Sequence, residues 1–306
     1  MVRIRNLRKS YGSYQALRGL TMEIDKGELF GFVGPNGAGK TTTMKIIAGL
    51  MRADSGEVMV AGRTLSGNTG QVREIIGYVP DFFGVYDDLK VQEYLEFFAS
   101  LYGMDGRESR HRTEELLEML GMTQWRDEMV DGMSRGMKQK LCVARALVNN
   151  PDLLVLDEPA SGMEPRYRRH LKELLQELCA EGKTIIISSH DLNELAEMCT
   201  SVGVISKGRL VMQGELPTLL RRQQEKNPYV LQCLKFPEEA VQLLKSDPHV
   251  KNIVSRGTSI SFPYDGTEEE VAELFAGLVG RGAQIISFCR EEGNLEKMFL
   301  DITTLS

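Results

Sequence analysis

No stretch of this 306-residue chain stays apolar for anything near the roughly 18 residues needed to cross a bilayer. No membrane-spanning helix is expected, and Met1-Val2-Arg3-Ile4-Arg5 lacks the apolar core of a secretory signal. Cysteine is sparse: Cys142, Cys179, Cys199, Cys233 and Cys289 are scattered, odd in number and without a Cys-x-x-Cys pair. That argues against a disulfide framework or a thiolate metal site and suits reduced thiols in a cytosolic protein. A basic excess is also missing. Lys and Arg total 37 against 43 Asp and Glu, for a net charge of −6. Nucleic acid and acidic membrane surfaces are therefore poor electrostatic partners. The local cluster Arg166, Arg168 and Arg169 reads as a solvated helix face. Composition is otherwise ordinary, 42% hydrophobic and 26% charged, and the length suits one sizeable α/β domain with a smaller companion.

What the chain does have is a phosphate-binding loop. Gly34-Pro35-Asn36-Gly37-Ala38-Gly39-Lys40-Thr41 fits G-x-x-x-x-G-K-[ST] at every fixed position. The glycines let the backbone fold so that successive N–H groups face phosphate oxygens. Lys40 brings a positive charge to the β/γ oxygens, and the Thr41 hydroxyl is placed for Mg²⁺. Glu28–Val33 reads as an apolar strand before the loop. Thr42 onward opens a helix whose N-terminus faces the anion. Strand, loop and helix come in the required order, so nucleotide binding follows.

A second site element lies downstream. Leu153–Leu156 is an apolar run that ends at Asp157-Glu158. Ligands of α/β folds sit at the carboxyl ends of such strands. Asp157 can then share a Mg²⁺ with Thr41, while Glu158 orients or deprotonates a water attacking the γ-phosphate.

Periodicity organises the rest. Strands are expected over 2–33, near 57–60 and near 75–79, with a turn at Tyr11-Gly12-Ser13-Tyr14. From about 89 to 135 the period becomes helical, with Val91, Tyr94, Leu95, Phe98 and Leu101 on one stripe. Leu116, Leu117, Met119 and Leu120 form a second stripe. A helix is expected after Ser134, then helix 166–181, strand 184–188, helix 191–199 and strands 202–206 and 209–213. The polar segment 219–228 reads as a linker. Beyond it, strand 229–234, helix 237–246, strands 249–255 and 258–263, helix 267–281, strand 283–289 and a closing helix 294–302 suggest a split βαβ unit.

Between loop and strand lies Met133-Ser134-Arg135-Gly136-Met137. With these motifs, the span 1–215 resembles the nucleotide-binding domain of an ATP-binding cassette (ABC) transporter, whose Leu-Ser-Gly-Gly-Gln signature occupies this place. The resemblance implies an α/β P-loop NTPase fold, an ABC cassette with a helical insertion, over 1–218. A small C-terminal α+β ferredoxin-like domain would fill 229–306. It also implies that Ser134 and the Gly136 N–H of one subunit contact the γ-phosphate of ATP held by the other. Ser134 suits that place as an N-cap, because the helix after it offers N–H groups and positive dipole. By the same resemblance Tyr11 stacks on the adenine, Thr42 joins the phosphate contacts and His190 contacts the γ-phosphate. Ser161-Gly162-Met163-Glu164-Pro165 would follow the dimer interface.

The chain departs from the family pattern in places. Asp81 stands where the family has Gln after Ile76–Pro80; Asp keeps an oxygen for Mg²⁺ but adds charge beside the triphosphate. Arg135 and Met137 replace signature residues, and Glu164 replaces an Asp. The expected ligands are ATP and Mg²⁺, the latter on Thr41, Asp157 and Asp81. The expected partners are an integral membrane permease and a second cassette, in a homo- or heterodimer, on the cytoplasmic face of the membrane. Phe82-Phe83-Gly84-Val85-Tyr86 is a candidate groove for the permease. Leu295-Glu296-Lys297-Met298-Phe299-Leu300 resembles the tail of bacterial export-type cassettes. Two other readings stay open: a soluble ABC ATPase in translation or DNA maintenance, and a regulatory cassette with little turnover.

Overall fold

Val2, Ile4 and Leu7 point one way along the first strand and are buried, while their neighbours face solvent. That alternation builds the outer, antiparallel sheet of a computed structural model. The structure describes residues 1–291 apart from 66–68, 82, 83, 85–87, 162, 164, 225, 226 and 237. Two compact units meet in sequence at Leu216/Pro217.

The first unit has two sheets. Its strands among the described residues are β1 (Val2–Tyr11), β2 (Tyr14–Ile24), β3 (Leu29–Val33), β4 (Ser55–Val60), β5 (Arg63–Thr64), β6 (Ile76–Val79), β7 (Leu153–Leu156), β8 (Thr184–Ser189), β9 (Ser201–Ser206) and β10 (Arg209–Glu215). The antiparallel sheet runs β2-β1-β4-β5. Its β1–β2 hairpin pairs Tyr11 with Tyr14 and turns through Gly12 at φ 58. The second sheet runs β10-β9-β3-β8-β7-β6, parallel except for β10. Every residue of β3, β7 and β8 is buried. This is why they read as unbroken apolar runs: helices and the first sheet cover both faces. Helix Lys40–Ile47 lies between the sheets, its Met44 and Ile47 packed in one core with Phe30, Phe32, Leu7 and Leu20.

The helical insertion contains Val91–Leu101, Gly106–Met119 and a short 3₁₀ turn at Thr123–Trp125. The first stripe buries Val91, Tyr94, Leu95 and Ala99, but Leu101 is 64% exposed, because the helix ends there in a Gly103 turn at φ 82. Helix Leu192–Ala196 is shorter than expected. Met198 and Cys199 both turn their N–H groups back to the Leu195 carbonyl.

In the second unit β11 (Tyr229–Lys235), β12 (Val254–Arg256), β13 (Ser259–Phe262) and β14 (Gln284–Arg290) form an antiparallel sheet in the order β12-β13-β11-β14. With helices Glu238–Ser246 and Glu268–Gly280 the element order is β–α–β–β–α–β. Leu231, Phe262, Leu244, Leu274 and Leu278 fill its core. Two boundaries differ from the reading above. Residues 219–228 do not form a linker throughout: helix Leu216–Gln224 occupies most of the span, with Leu216 and Leu219 buried three positions apart. The strand expected at 249–255 keeps only its end, because Asp247 and His249 close a local turn first. Phe82, Phe83, Val85, Tyr86, Gly162, Glu164 and the closing 294–302 segment lie outside the described residues.

Candidate nucleotide site

Strand order sets the site. β3, β8, β7 and β6 are neighbours running the same way, so the residues following each of them arrive at one edge of the sheet. After β3 comes the phosphate loop, after β8 His190, after β7 Asp157 and Glu158, and after β6 Asp81. A cleft of about 330 Å³ opens there. Pro35, Asn36, Gly37, Gly39, Lys40, Thr41 and Thr42 line it, as do Tyr11, Asp81, Glu158 and His190.

The loop glycines have steric reasons. A side chain on Gly34 would sit 2.5 Å from the Ile205 carbonyl oxygen. Gly39, at φ 112, would place one 2.7 Å from Leu17 Cδ2. Ala38 is buried beneath the loop, its N–H donating to the Pro35 carbonyl at 3.1 Å. Lys40 is buried; its Nζ donates to the Gly34 carbonyl at 2.6 Å and lies 3.3 Å from Glu158 Oε1. Glu158 Oε2 meets His190 Nδ1 at 2.9 Å. Lys40, Glu158 and His190 thus form one connected chain of polar contacts. Glu158 also takes φ 50, a left-handed conformation that a residue with a Cβ adopts only where surrounding structure holds it.

Asp157 is fully buried at the base of the cleft. Burial pushes its carboxyl above the ordinary range. The Ser188 and Thr41 hydroxyls oppose that rise, and the Asp81 and Glu158 charges add to it. Its Oδ1 accepts from Ser188, while Oδ2 is buried without a hydrogen-bond partner. A buried, unpartnered carboxylate oxygen beside a threonine hydroxyl fits a hard divalent cation. Among the described residues no group of three or more His, Cys, Asp or Glu side chains could hold a metal alone. The Asp157 oxygen and the Thr41 hydroxyl are donors of the kind Mg²⁺ takes, since it uses one or two protein oxygens and completes its shell from water and substrate phosphates. Asp81 is exposed, and its charge reaches inward: together with burial and Asp157 it raises Tyr78.

Ser134 and Gly136 do not line this cleft. Ser134 caps helix Arg135–Leu147, accepting from the Met137 N–H at a long 3.4 Å. Gly136 lies next to Met163, whose Sδ would be 3.7 Å from a side chain there. The signature segment thus adjoins Met163. Tyr11 is half exposed and donates through its hydroxyl to Met51 Sδ. Two contributors escaped the sequence reading. Tyr14 donates to the Gly37 carbonyl at 2.8 Å and lines the cleft, and Ser188 links Asp157 to Glu158. The hairpin turn signal could have pointed to Tyr14, since it brings that residue level with Tyr11.

Residues 17–161 match the family described as ABC transporter, and residues 130–196 match an AAA domain, putative AbiEii toxin, Type IV TA system. The linearmycin resistance ATP-binding protein of Bacillus subtilis is 31% identical over 305 residues, 99% of this chain and 98% of that protein. A Nod factor export ATP-binding protein I of Cupriavidus metallidurans is 34% identical over 304 residues, 99% of this chain and 97% of its own length. Among solved structures, a dimeric post-hydrolysis state of an ATP-binding cassette bound to ADP and Pi superposes with a TM-score of 0.66. It is 27% identical and covers 71% of this chain and 99% of its own.

Proposed function

We propose that this chain, which belongs to the ABC transporter family, hydrolyses ATP as the nucleotide-binding subunit of an export complex and drives a separate membrane permease. The carrying observation is the convergence of Lys40, Asp157, Glu158 and His190 at the phosphate loop. Phosphoryl transfer asks for positioning and charge neutralisation rather than covalent chemistry. Lys40 and the loop N–H groups take the phosphate charge. Glu158, held on one side by Lys40 and on the other by His190, orients and deprotonates the attacking water. Thr41, Asp157 and Asp81 would hold Mg²⁺, which when bound would neutralise charge on the phosphate oxygens. Tyr11 would pack on the adenine.

Ser134 and Gly136 stand apart from the cleft of their own chain, so in this reading they serve ATP held by a second cassette. The working unit is then a homo- or heterodimer closed on its nucleotides. Among the described residues no helix is long and apolar enough to cross a membrane, which leaves the pathway to a permease. The cassette would sit against that partner on the cytoplasmic face. Export is favoured over import by relatives named for export and resistance that align along nearly the whole chain. The second unit would be an accessory domain of this subunit.

Glu158→Gln should bind ATP without turnover and accumulate as an ATP-bound dimer in analytical ultracentrifugation. A variant that stays monomeric at saturating ATP overturns the dimer reading. Affinity purification from detergent-solubilised membranes should bring down a stoichiometric polytopic protein. Recovery with ribosomes or nucleic acid instead would point to the soluble ATPase.

A further inference from the structure

Ser188, near the end of β8, is 1% exposed. Its hydroxyl makes two hydrogen bonds into the neighbouring strand end, donating to Asp157 Oδ1 at 2.7 Å and accepting from the Glu158 N–H at 2.9 Å. One small side chain therefore grips both consecutive acidic residues, one by its carboxylate and the other by its main chain. With Oδ1 occupied, Oδ2 is the Asp157 oxygen left buried and without a partner. With its N–H tied down, Glu158 is held at φ 50, the conformation that carries its carboxylate between Lys40 and His190.

We infer that Ser188 is a positioning residue of the ATPase centre: it turns Asp157 Oδ2 toward the cation and locks the Glu158 backbone. The role requires a group that donates and accepts at once, which a hydroxyl does and a methyl cannot. Ser189 is no substitute. Its hydroxyl is engaged elsewhere, donating to Glu194 Oε2 at 2.9 Å and accepting from the Asp191 N–H at 3.0 Å. The inference rests on the ATPase reading above.

The test compares full-length wild type with Ser188→Ala and Ser188→Thr. Mn²⁺, as the cation probe, is titrated by electron paramagnetic resonance in the presence of a non-hydrolysable ATP analogue. Outer-shell partners of metal ligands typically contribute about 10- to 100-fold to metal affinity or activity. Ser188→Ala should weaken Mn²⁺ binding by about that factor and lower kcat comparably. Its affinity for the analogue in EDTA should stay at the wild-type value, while its affinity for the analogue with Mn²⁺ present falls by the same factor as Mn²⁺ binding. Ser188→Thr, which keeps the hydroxyl, should restore Mn²⁺ affinity. Wild-type Mn²⁺ affinity and kcat in Ser188→Ala overturn the inference. So does a loss of analogue affinity in EDTA as large as the loss of Mn²⁺ affinity. If Ser188→Ala does not fold, Ser188→Cys, of similar shape but a weaker hydrogen-bonding group, must show the same split, and wild-type behaviour there overturns it. A wild-type protein that binds Mn²⁺ and analogue but never hydrolyses ATP sinks the ATPase reading, and the Mn²⁺ comparison still decides Ser188.

Discussion

Asp81 adds a negative charge where ATP would bring several more, and Asp157 and Tyr78 already feel it as an upward push. Asp81→Gln should therefore tighten ATP binding in EDTA and raise the Mg²⁺ concentration needed for half-maximal turnover. Unchanged values in both titrations would remove Asp81 from the metal's surroundings. Glu194 gives a pH prediction of known sign. Burial raises its carboxyl above the ordinary range, with the Ser189 hydroxyl and Arg168 opposing and Asp191 and Glu158 adding. The folded state thus holds this proton more firmly than the unfolded chain. The resulting stability is present below the ordinary carboxylate pKa of about 4.3 and fades as pH rises through the higher folded value. Glu194→Gln should melt above wild type at neutral pH, with the gap closing in acid. At this scale the sequence pointed to the loop through its fixed spacing, to Asp157 and Glu158 through the apolar run that ends at them, and to His190 through the family resemblance alone. It could not disclose Ser188, whose role depends on β8 lying beside β7, a fact of strand order that no local spacing encodes.

Two helices capped by an N-cap side chain, Gly106–Met119 in the insertion and Arg135–Leu147 after it, make a contrast. Asp105 accepts from the Arg107 and Glu108 N–H groups at 2.7 and 2.9 Å, and Glu108 returns a bond to the Asp105 N–H. Asp105→Ala should lower the melting temperature and leave turnover alone. Ser134 holds its helix through a single 3.4 Å contact. Ser134→Ala should cost less in thermal stability than Asp105→Ala, yet abolish ATP-driven dimerisation and turnover; parallel denaturation and ATPase assays separate the two effects. Elements buried on both faces, such as β3 and β7, were plain in the sequence from their unbroken apolar runs. Helix Leu216–Gln224 was not. Its charged residues mimic a tether, and the burial of Leu216 and Leu219, the feature that sets it apart from one, depends on tertiary packing.

For the molecule as a whole, a second unit was legible beyond the polar segment 219–228, although the chain divides earlier, at Leu216/Pro217, and the β–α–β–β–α–β order of its described residues followed from alternating periods. The pairing β12-β13-β11-β14 was not, since antiparallel partners are chosen by side-chain fit across distant segments. The backbone at Glu158 bears on how long the whole protein survives heat. A left-handed residue with a Cβ costs the native state about 1 kcal/mol or more relative to glycine. Two inert variants isolate that cost, since both lack the carboxylate: Glu158→Gly should outlast Glu158→Ala by about 1 kcal/mol in thermal denaturation. Equal melting of the two would mean that the φ of 50 is carried without strain. If the gap is found, durability and catalysis make opposite demands on this position: glycine would give the more heat-resistant protein, and glutamate the working engine.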